Sequence, residues 1–248
     1  MKDDAFAIAQ NPALTIKSGN PCRTMEVEMF LYDVHVHTAE SSSCSPQPAK
    51  EMAEAYKAKG YTGIVITDHF LTGSSTVPRD LPWKERIRLF CLGYDHAKER
   101  GDELGLDVFF GWEASFSGND FLTYGLDRKW LEDHPGLLSL DVNAYLKFVR
   151  AEGGCVVHAH PFRQASYIPF IRLLPDLVDG VEIRNHSRPD KENMRNRWYA
   201  ESYNLSPAAG SDSHQVKSIP ERVIGSEVRF NGIQDYIAAL RNRQLTIF

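Results

Sequence analysis

The sequence predicts an α/β fold built on a mostly parallel β-sheet, which is either open or closed into a barrel. Short apolar runs typical of strands alternate along the chain with longer segments of helical periodicity, and repeated β–α units form parallel sheets. The chain has 248 residues, of which 42% are hydrophobic and 25% are charged. This length fits one large domain, because α/β barrels commonly run to about 250 residues.

The first elements are predicted from residue types and turn signals. Residues 1–24 are expected to form an irregular N-terminal extension, followed by a single domain over residues 25–248. A strand is predicted over residues 25–36, where β-branched and aromatic residues partly alternate with polar ones. A helix opens at the prolines of residues 45–48 and ends at Gly60.

The same alternation continues through the rest of the chain. The predicted strands cover residues 61–67, 106–113, 121–125, 155–159, 177–183 and 205–210. The predicted helices cover residues 83–104, 142–152, 167–174, 189–203 and 233–242. No internal repeat and no linker-like composition interrupts this order, which favours one domain.

Charge and cysteine content exclude several classes of protein. Lys and Arg number 28 against 33 Asp and Glu, so the net charge is −5, which disfavours binding to long nucleic acid. No uncharged apolar stretch approaches the roughly 18 residues of a membrane span, and the start of the chain lacks the basic region of a signal peptide. The four cysteines form no C-x-x-C motif, which fits a reducing cytosol. We therefore expect a cytoplasmic protein, whose oligomeric state the sequence does not indicate.

Residues suited to metal binding lie at or just past the C-terminal ends of the predicted strands, where ligands bind in parallel α/β folds. They are His35, His37, Asp68, His69, Glu113, His158, His160, Asp212 and His214. In the H-x-H and D-x-H pairs, side chains two residues apart on a strand point to the same face and can reach one ion. Imidazole and carboxylate ligands together suit Zn, Mn or Fe.

Two acidic residues have specific expected roles. Glu113 ends the apolar run VFFGWE, and burying a carboxylate there without a partner or a metal is too costly. Asp33 lies two residues before His35, so we expect it to orient an imidazole by accepting its second N–H.

Taken together, the motifs resemble those of the PHP (polymerase and histidinol phosphatase) family. They are DVHVHT at 33–38, GIVITDH at 63–69, GWE at 111–113, HAHPF at 158–162 and GSDSH at 210–214. The resemblance implies a distorted (β/α)7 TIM-like barrel with two or three divalent metal ions at the C-terminal ends of its strands. It also implies a metal-dependent phosphoesterase that acts on a small phosphorylated substrate.

The resemblance also implies a ligand set. His35, His37, Glu113 and Asp212 would hold one metal ion, and Glu113 would bridge to a second ion that also binds His160. His69 and His214 would serve a third ion or act on the substrate. Asp120 matches a further family ligand, and Asp68 is expected to support the ligands from behind.

This sequence departs from the family pattern at two places. Trinuclear members carry a His or an Asp soon after the H-x-H pair, whereas residues 39–46 read AESSSCSP, in which Glu40 or Cys44 are the possible substitutes. Many relatives have an apolar residue where this chain has His158. That histidine is an extra ligand, a group that supports a ligand, or a proton carrier.

The expected mechanism is attack on phosphorus by a hydroxide that bridges two metal ions. His69 or His214 would protonate the leaving oxygen when it is not bound to metal, and Asp212 would take part in catalysis. Arg163 and Arg184 follow predicted strands, and a guanidinium suits phosphate. Both arginines are therefore expected to bind the substrate.

Three alternatives stay open at this stage. Amidohydrolase-like enzymes also begin with H-x-H and cleave C–N or C–O bonds. Many of them bridge their metals with a carboxylated lysine on a strand, and no lysine ends the strands VFFGWE, CVVHA or VDGVEI of this chain. A PHP module kept as a non-catalytic scaffold usually loses ligands, and this chain retains nearly all of them. Cys44 is the only candidate for a catalytic cysteine, and its flanks offer no clear activating base.

Overall fold

The structure is a computed structural model that describes residues 29–248. The extension expected over residues 1–24 and the first residues of the predicted strand 25–36 lie outside this range. The nine strands of the described residues are β1 (Phe30–Val36), β2 (Gly63–Ile66), β3 (Asp107–Phe116), β4 (Asn119–Tyr124), β5 (Cys155–Ala159), β6 (Gly180–Asn185), β7 (Ser206–Gly210), β8 (Ile224–Ser226) and β9 (Thr246–Ile247).

These strands form one sheet that curls into a nearly closed barrel. The order in the sheet is β7-β6-β5-β4-β3-β2-β1-β8-β9, so the first seven strands follow one another in chain order. Backbone hydrogen bonds bring β7 back to β1: the amide of His37 donates to Ser213 O (3.0 Å), and the amide of Asp212 donates to His35 O (2.9 Å). The short strands β8 and β9 extend the sheet beyond β1. The predicted α/β barrel is confirmed.

Strand β4 is the distortion in this barrel. It runs antiparallel to both β3 and β5, whereas β1–β2, β2–β3, β5–β6 and β6–β7 are parallel pairs. A two-residue turn at Ser117 and Gly118 joins β3 to β4, and both residues have positive φ angles (55° and 80°). Two positive φ angles give the turn whose twist matches a β-hairpin. The sequence predicted β4 but not this direct return, because β3 extends three residues beyond the predicted end.

Seven α-helices connect and cover the described strands. They are α1 (Ala49–Ala58), α2 (Trp83–Phe90), α3 (Leu92–Leu104), α4 (Arg128–Asp133), α5 (Val142–Ala151), α6 (Asp190–Ser202) and α7 (Ile233–Arg241). The helix predicted over residues 83–104 is two helices that meet at Cys91. None of the helices in residues 29–248 is long and apolar enough to cross a membrane.

The helix predicted over residues 167–174 is wrong. The described chain is irregular over these residues, and a 3₁₀ turn follows at Pro175–Leu177. Pro169 and Pro175 explain the difference, since proline removes a backbone donor and disfavours helical geometry in the residue before it. Strands β8 and β9 and helix α4 were not predicted, because they are too short to show a periodic pattern.

Hydrophobic packing holds the barrel rigid below its upper rim. The largest buried cluster fills the barrel and continues beneath α1, α3 and α7, with Tyr32, Ile64, Val157 and Leu240 among its members. A second cluster lies outside β3–β5, under α2, α4 and α5. Burying one such apolar side chain contributes about 1.5–3 kcal/mol. The strand ends at the rim are therefore fixed in place, and the polar side chains there are positioned by a rigid scaffold.

Candidate metal centre

The strand ends bring the expected ligand residues into one buried group. His35 lies in β1, and His37 follows the strand by one residue; both side chains are fully buried. Glu113 lies within β3 and is also fully buried. The remaining members of this group are His69 after β2, Asp120 in β4, His160 after β5, and Asp212 and His214 after β7.

The carboxylate of Glu113 is the centre of the group. Its Oε1 lies 3.4 Å from Nε2 of His35 and 3.4 Å from Nε2 of His160. Its Oε2 lies 3.5 Å from Nε2 of His37 and 2.7 Å from Nδ1 of His69. One carboxylate therefore faces four imidazoles, with two on each oxygen, and this is the geometry of a bridging ligand.

Asp212 closes the group from the opposite side of the barrel mouth. Its Oδ1 lies 3.6 Å from Nε2 of His35 and 3.4 Å from Nε2 of His37, and its Oδ2 lies 3.8 Å from Nε2 of His160. Asp212 and His160 both adopt left-handed backbone conformations, with φ of 57° and 29°. Such conformations cost about 1–2 kcal/mol in a residue other than glycine and persist where the surrounding structure fixes them, often at functional sites.

The group contains polar atoms that the protein itself does not satisfy. Five buried atoms of this group have no hydrogen-bond partner within the described residues: Glu113 Oε1 and Oε2, Asp120 Oδ1, His160 Nε2 and His69 Nδ1. Buried polar groups are normally hydrogen-bonded, so each exception needs an explanation. Here the contacts are short but not aligned as hydrogen bonds, which is expected when ligands converge on a common ion.

Four sets of three residues have ligand atoms that, within each set, lie less than 4.8 Å apart. The sets are His35–His37–Glu113, His35–His160–Asp212, Glu113–Asp120–His160 and His37–His69–His214. Three sets combine imidazole with carboxylate and the fourth is imidazole alone, and borderline divalent ions accept both donor types. The residues present therefore fit the metal ions that the sequence predicted.

Hydrogen bonds behind the cluster fix the tautomers of three histidines. Nδ1 of His35 donates to Glu182 Oε1 (2.9 Å), and Nδ1 of His214 donates to the carbonyl of Asp212 (2.9 Å). Ser42 gives its only hydroxyl proton to Asp68 (2.7 Å), so it accepts from Nδ1 of His37 (3.1 Å). In each case Nε2 is left with its lone pair turned toward the other ligands, as a metal-binding imidazole requires.

Electrostatics keep the acidic ligands ionised. Burial alone would raise the pKa of Glu113, but the imidazoles of His69 and His35 reverse this and hold the pKa well below its usual value. Burial likewise opposes ionisation of Asp212, and His35 and His37 outweigh it. Burial, reinforced by His69 and His214, lowers the pKa of His37 well below its usual value. Burial opposes protonation of His35 and His69, but the facing carboxylates outweigh it and raise the pKa of both imidazoles. A cation that binds here therefore displaces protons from these imidazoles.

Comparisons with known proteins support the fold. No model of a protein family matches the sequence, and a search of curated proteins finds no match. Among solved structures, a two-domain protein from Bacteroides vulgatus that contains a predicted PHP-like metal-dependent phosphoesterase matches with a TM-score of 0.66 and 16% identity, over 95% of this chain and 69% of that one. This chain has the PHP-like fold. The resemblance that the sequence motifs predicted is confirmed at the level of the fold.

Two further structures show that the PHP-like fold is shared with differently described proteins. A candidate metal-dependent phosphoesterase from Bifidobacterium adolescentis has a TM-score of 0.56 and 16% identity, over 87% of this chain and 96% of that one. An amidohydrolase from Chromobacterium violaceum, solved with sulfate and without metal, has a TM-score of 0.55 and 14% identity, over 87% of this chain and 97% of that one. The fold alone does not choose between these two chemistries.

Glu182 supports the cluster and was missed from the sequence. It lies in β6 with its side chain buried; its Oε1 accepts from His35, and its Oε2 accepts from the backbone N–H of His160 (3.1 Å) and from Asn185 Nδ2 (2.8 Å). Gly210 makes room for this arrangement, since a Cβ there would lie 2.3 Å from Glu182 Oε1 and 2.4 Å from His35 Cβ. The available signal was a lone acid in the apolar strand GVEI, the same signal that identified Glu113.

The expected role of Asp33 is wrong. Its carboxylate accepts from the backbone N–H groups of His35 (3.2 Å) and Ser211 (3.1 Å) and from the hydroxyl of Tyr56 (2.6 Å), but not from an imidazole. Asp33 therefore joins β1 to the segment after β7, and Glu182 orients the His35 ring instead. The i, i+2 spacing put Asp33 on the correct face but one layer too deep to reach the ring.

Asp68 supports the cluster through a neighbour. It accepts from the backbone N–H and the hydroxyl of Thr38 (both 2.6 Å) and from Ser42, which in turn holds His37. Burial raises the pKa of Asp68 to about 6, although the bonds from Thr38 counteract part of this rise. Asp68 thus fixes the loop after β1 and, through Ser42, the ring of His37.

His158 lies apart from the cluster, which corrects its expected role as an additional ligand. It belongs to none of the four ligand sets. Its ring stacks on Phe121 with centroids 4.6 Å apart, and Tyr199 meets it edge-on at 6.0 Å. Neither ring nitrogen has a hydrogen-bond partner within the described residues. Burial, reinforced by His160, lowers the pKa of His158 to about 3, so it stays neutral.

The two predicted substrate-binding arginines differ in position. Arg163 lines the cavity above the cluster, with its Nη1 3.7 Å from Asp120 Oδ2 and its guanidinium 5.7 Å from the ring centroid of Tyr167. Arg184 does not line this cavity, and its Nη1 donates to Asp190 Oδ1 at 2.7 Å. The structure therefore contradicts the expected role of Arg184, because an irregularity in the β6–β7 register follows Glu182 and Arg184 pairs with the start of α6.

The loop after the first H-x-H pair brings Cys44, not Glu40, to the cluster. Glu40 contacts His96 (3.1 Å) and accepts from the backbone N–H of Ala49 (3.0 Å) at the start of α1. The thiol of Cys44 lies 3.1 Å from Nε2 of His214 and lines the cavity. Burial opposes ionisation of this thiol, but His214 and His69 outweigh it and lower its pKa to about 6.

The cavity above the cluster has a volume of about 530 Å³. Its floor is formed by His69, Asp120, Asp212 and His214. Its wall is mainly hydroxyl-bearing and small, with Thr72, Ser74, Ser115 and Ser117 beside Gly73 and Gly118. This volume lies within the usual range for small-molecule sites.

Proposed function

We propose that the protein is a metal-dependent hydrolase that cleaves a phosphoester in a small substrate. The observation that carries this proposal is the carboxylate of Glu113, which is fully buried, faces four imidazoles and has no hydrogen-bond partner among the described residues. Burying such a charge without compensation is too costly. In the proposal, divalent cations between these ligands supply the compensation, in place of the protons on His69 and His35.

The ligand sets divide naturally between two ions. In the proposal, His35, His37, Asp212 and Glu113 hold the first ion, and Glu113, Asp120 and His160 hold the second. Zinc, manganese and iron all suit such donors. When bound, two such ions lower the pKa of a water molecule and stabilise the charge on a phosphoryl group.

Arg163 and the cavity shape support a small phosphorylated substrate. Arg163 is the guanidinium beside the cluster, and its planar fork matches two phosphoryl oxygens. Asp120 and the ring of Tyr167 hold the side chain in position. A cavity of about 530 Å³ holds a small molecule, and the net charge of −5 disfavours long nucleic acid as the substrate.

His69, His214 and Asp212 line the floor of the cavity, where a leaving group would lie. In the proposal Asp212 holds metal and fixes His214 through its own carbonyl. Two roles fit the imidazoles of His69 and His214: one of them donates a proton to the leaving oxygen, or both bind a third ion. The number of ions at the site decides between these roles.

Hydrolysis of an amide or a lactone is the second candidate, because the amidohydrolase from Chromobacterium violaceum shares the fold. Two features favour the phosphoester. No lysine lines the cavity among the described residues, so a carboxylated lysine bridge is absent from it, and Arg163 supplies a positive charge for an anionic substrate. The intact ligand sets also argue against a non-catalytic scaffold.

Substrate panels combined with elemental analysis test the proposal. The purified full-length protein is assayed with phosphomonoesters, phosphodiesters, lactones and amides in the presence of Mn, Zn or Fe. We expect metal-dependent turnover of a phosphoester and its loss in Glu113→Gln. Turnover of lactones or amides alone, or less than one ion per chain at full occupancy, contradicts the proposal.

The two arginines provide a matched pair for the same assay. We expect Arg163→Ala to raise KM for the phosphoester by about 10-fold or more, since a charged hydrogen bond contributes about 1.5–3 kcal/mol. Arg184→Ala removes a guanidinium bound to Asp190 outside the cavity, so KM should stay unchanged. Equal effects of both changes contradict the assignment of phosphate binding to Arg163.

A further inference from the structure

His69, His214 and Cys44 form a second potential binding group at the edge of the cluster. His69 is 8% exposed; its Nδ1 faces Glu113 Oε2 at 2.7 Å but has no aligned hydrogen-bond partner within the described residues. His214 turns Nε2 toward Cys44, whose sulfur lies 3.1 Å away. All three residues line the same cavity, and the ring centroids of His69 and His214 lie 5.9 Å apart. Three donors from three different segments therefore meet at the floor of the cavity.

His37 does not complete this group. It lies within 4.8 Å of His69 and His214 as a possible ligand. However, its Nδ1 is bound to Ser42, and its Nε2 faces Glu113 at 3.5 Å and Asp212 at 3.4 Å, which places it with the first ion. The imidazoles of His69 and His214 then lack a third protein donor unless Cys44 supplies it.

We propose that Cys44 is a thiolate ligand of a third metal ion, which it binds together with His69 and His214. This inference rests on the proposed metal-dependent function and adds a ligand and a metal preference to it. Binding replaces the thiol S–H bond by a sulfur–metal bond and releases the proton to solvent. The two imidazoles then act as ligands, so neither of them donates a proton to the leaving group.

A thiolate ligand makes the third site selective. Sulfur donors favour zinc and other thiophilic ions, whereas manganese and magnesium prefer oxygen donors. The two other ion positions hold only imidazole and carboxylate ligands. We therefore expect zinc to fill three sites and manganese to fill only two.

The geometry of the loop supports this assignment. Cys44 is exposed and lies on the cavity wall, so a metal ion reaches it without rearrangement of the core. Ser45, the next residue, donates to the carbonyl of His214 at 2.8 Å and joins the two segments directly. This hydrogen bond holds the loop that carries Cys44 against the segment that carries His214.

Cobalt substitution provides a direct test, because a thiolate bound to cobalt(II) gives an intense near-ultraviolet charge-transfer band. The full-length protein is stripped with a chelator, reloaded with cobalt and examined by absorption spectroscopy and elemental analysis. We expect three ions per chain and a charge-transfer band in the wild type. Cys44→Ser should lose the band, and Cys44→Ala should lose one ion. The buried Cys91 and Cys155 remain in both variants and control for other thiols.

A conservative replacement separates a ligand role from a structural one. Cys44→Asp offers an oxygen ligand in place of sulfur, so we expect three cobalt ions without the band, and three manganese ions where the wild type binds two. A band that persists in Cys44→Ser, or three manganese ions in the wild type, overturns the inference.

The stoichiometry also distinguishes this inference from the proposed function. Two cobalt ions without a charge-transfer band in the wild type overturn the role of Cys44 and leave the metal-dependent hydrolase intact. Absence of bound cobalt in the wild type contradicts the proposed function itself.

Discussion

The two H-x-H pairs have the same spacing and the same position relative to a strand end, but only one of them stays together. In each pair the first histidine lies within the strand and the second follows it by one residue. His35 and His37 place their Nε2 atoms 3.1 Å apart within the cluster. His160 joins that cluster, whereas His158 packs against Phe121 and Tyr199 outside it.

Backbone conformation explains the difference. Strand β5 alternates regularly, so Val157 and Ala159 pack in the barrel interior and Val156 packs with Phe121 outside. Continued alternation would put His160 outside with His158. A left-handed φ of 29° at His160 instead turns its ring into the mouth. The i, i+2 rule therefore identifies shared faces only while both residues remain extended.

Replacing the first histidine of each pair gives the largest expected contrast. We expect His35→Asn to weaken metal binding by more than about 100-fold, because changes to groups that merely support a ligand already cost about 10–100-fold. His158→Phe should leave metal affinity and phosphoester turnover unchanged, since its ring nitrogens contact no ligand set. Competition with a chromogenic chelator measures both affinities. A comparable loss in His158→Phe would contradict the separation of the two histidines.

Glu182 connects the two pairs, and its replacement gives the next largest effect. Its carboxylate binds the ring of His35 and the backbone of His160, so Glu182→Gln removes the negative charge behind one ligand while leaving its size unchanged. We expect metal affinity to fall by about 10–100-fold, the usual cost of changing a group that orients a metal-bound histidine. Chelator competition and elemental analysis measure this loss.

Glu192→Gln is the matched control for that change. Glu192 is also a buried glutamate near the mouth, but it accepts from the backbone of Gln164 and contacts no ligand. We expect its metal affinity to equal that of the wild type. An equal loss in both variants would indicate general loosening of the mouth and not a specific effect on His35.

The sequence predicted the barrel and the residues that meet at its mouth, because both depend on local pattern. Strand runs ending in His, Asp or Glu are visible without a structure, and closure of a β–α barrel brings their ends together. The residues that support the ligands were harder to predict. Glu182 binds a histidine 147 residues away, and no local pattern specifies that contact.

The errors have a common physical origin in backbone geometry. The expected role of Arg184 depended on its following a strand, whereas β6 continues through Asn185 and the guanidinium binds Asp190. The hairpin at Ser117 and Gly118 and the turned backbone at His160 both require positive φ angles. Residues other than glycine adopt such angles only when tertiary contacts hold them. Hydrophobic periodicity carries no information about those contacts.

The smallest expected effect concerns His158 and the folding stability of the protein in mild acid. The pKa of His158 is lowered to about 3 in the folded protein, compared with about 6.5 in the unfolded chain. Between these values the unfolded state binds more protons, so stability is fully present above pH 6.5 and is lost as the pH falls toward 3. From pH 7 to 5.5 this one group should cost about 1 kcal/mol of unfolding free energy. His158→Phe keeps an aromatic ring against Phe121 and removes this loss.

Urea unfolding of the metal-stripped protein at pH 7 and pH 5.5 measures the difference between wild type and variant. Histidines of the cluster titrate equally in both proteins, so they cancel in the comparison, and any remaining difference belongs to residue 158. Identical acid sensitivity would mean that His158 is hydrated or hydrogen-bonded in the folded state. In that case His158 would differ from His35 and His37 only in its distance from the ions, and not in having a dry ring without hydrogen bonds.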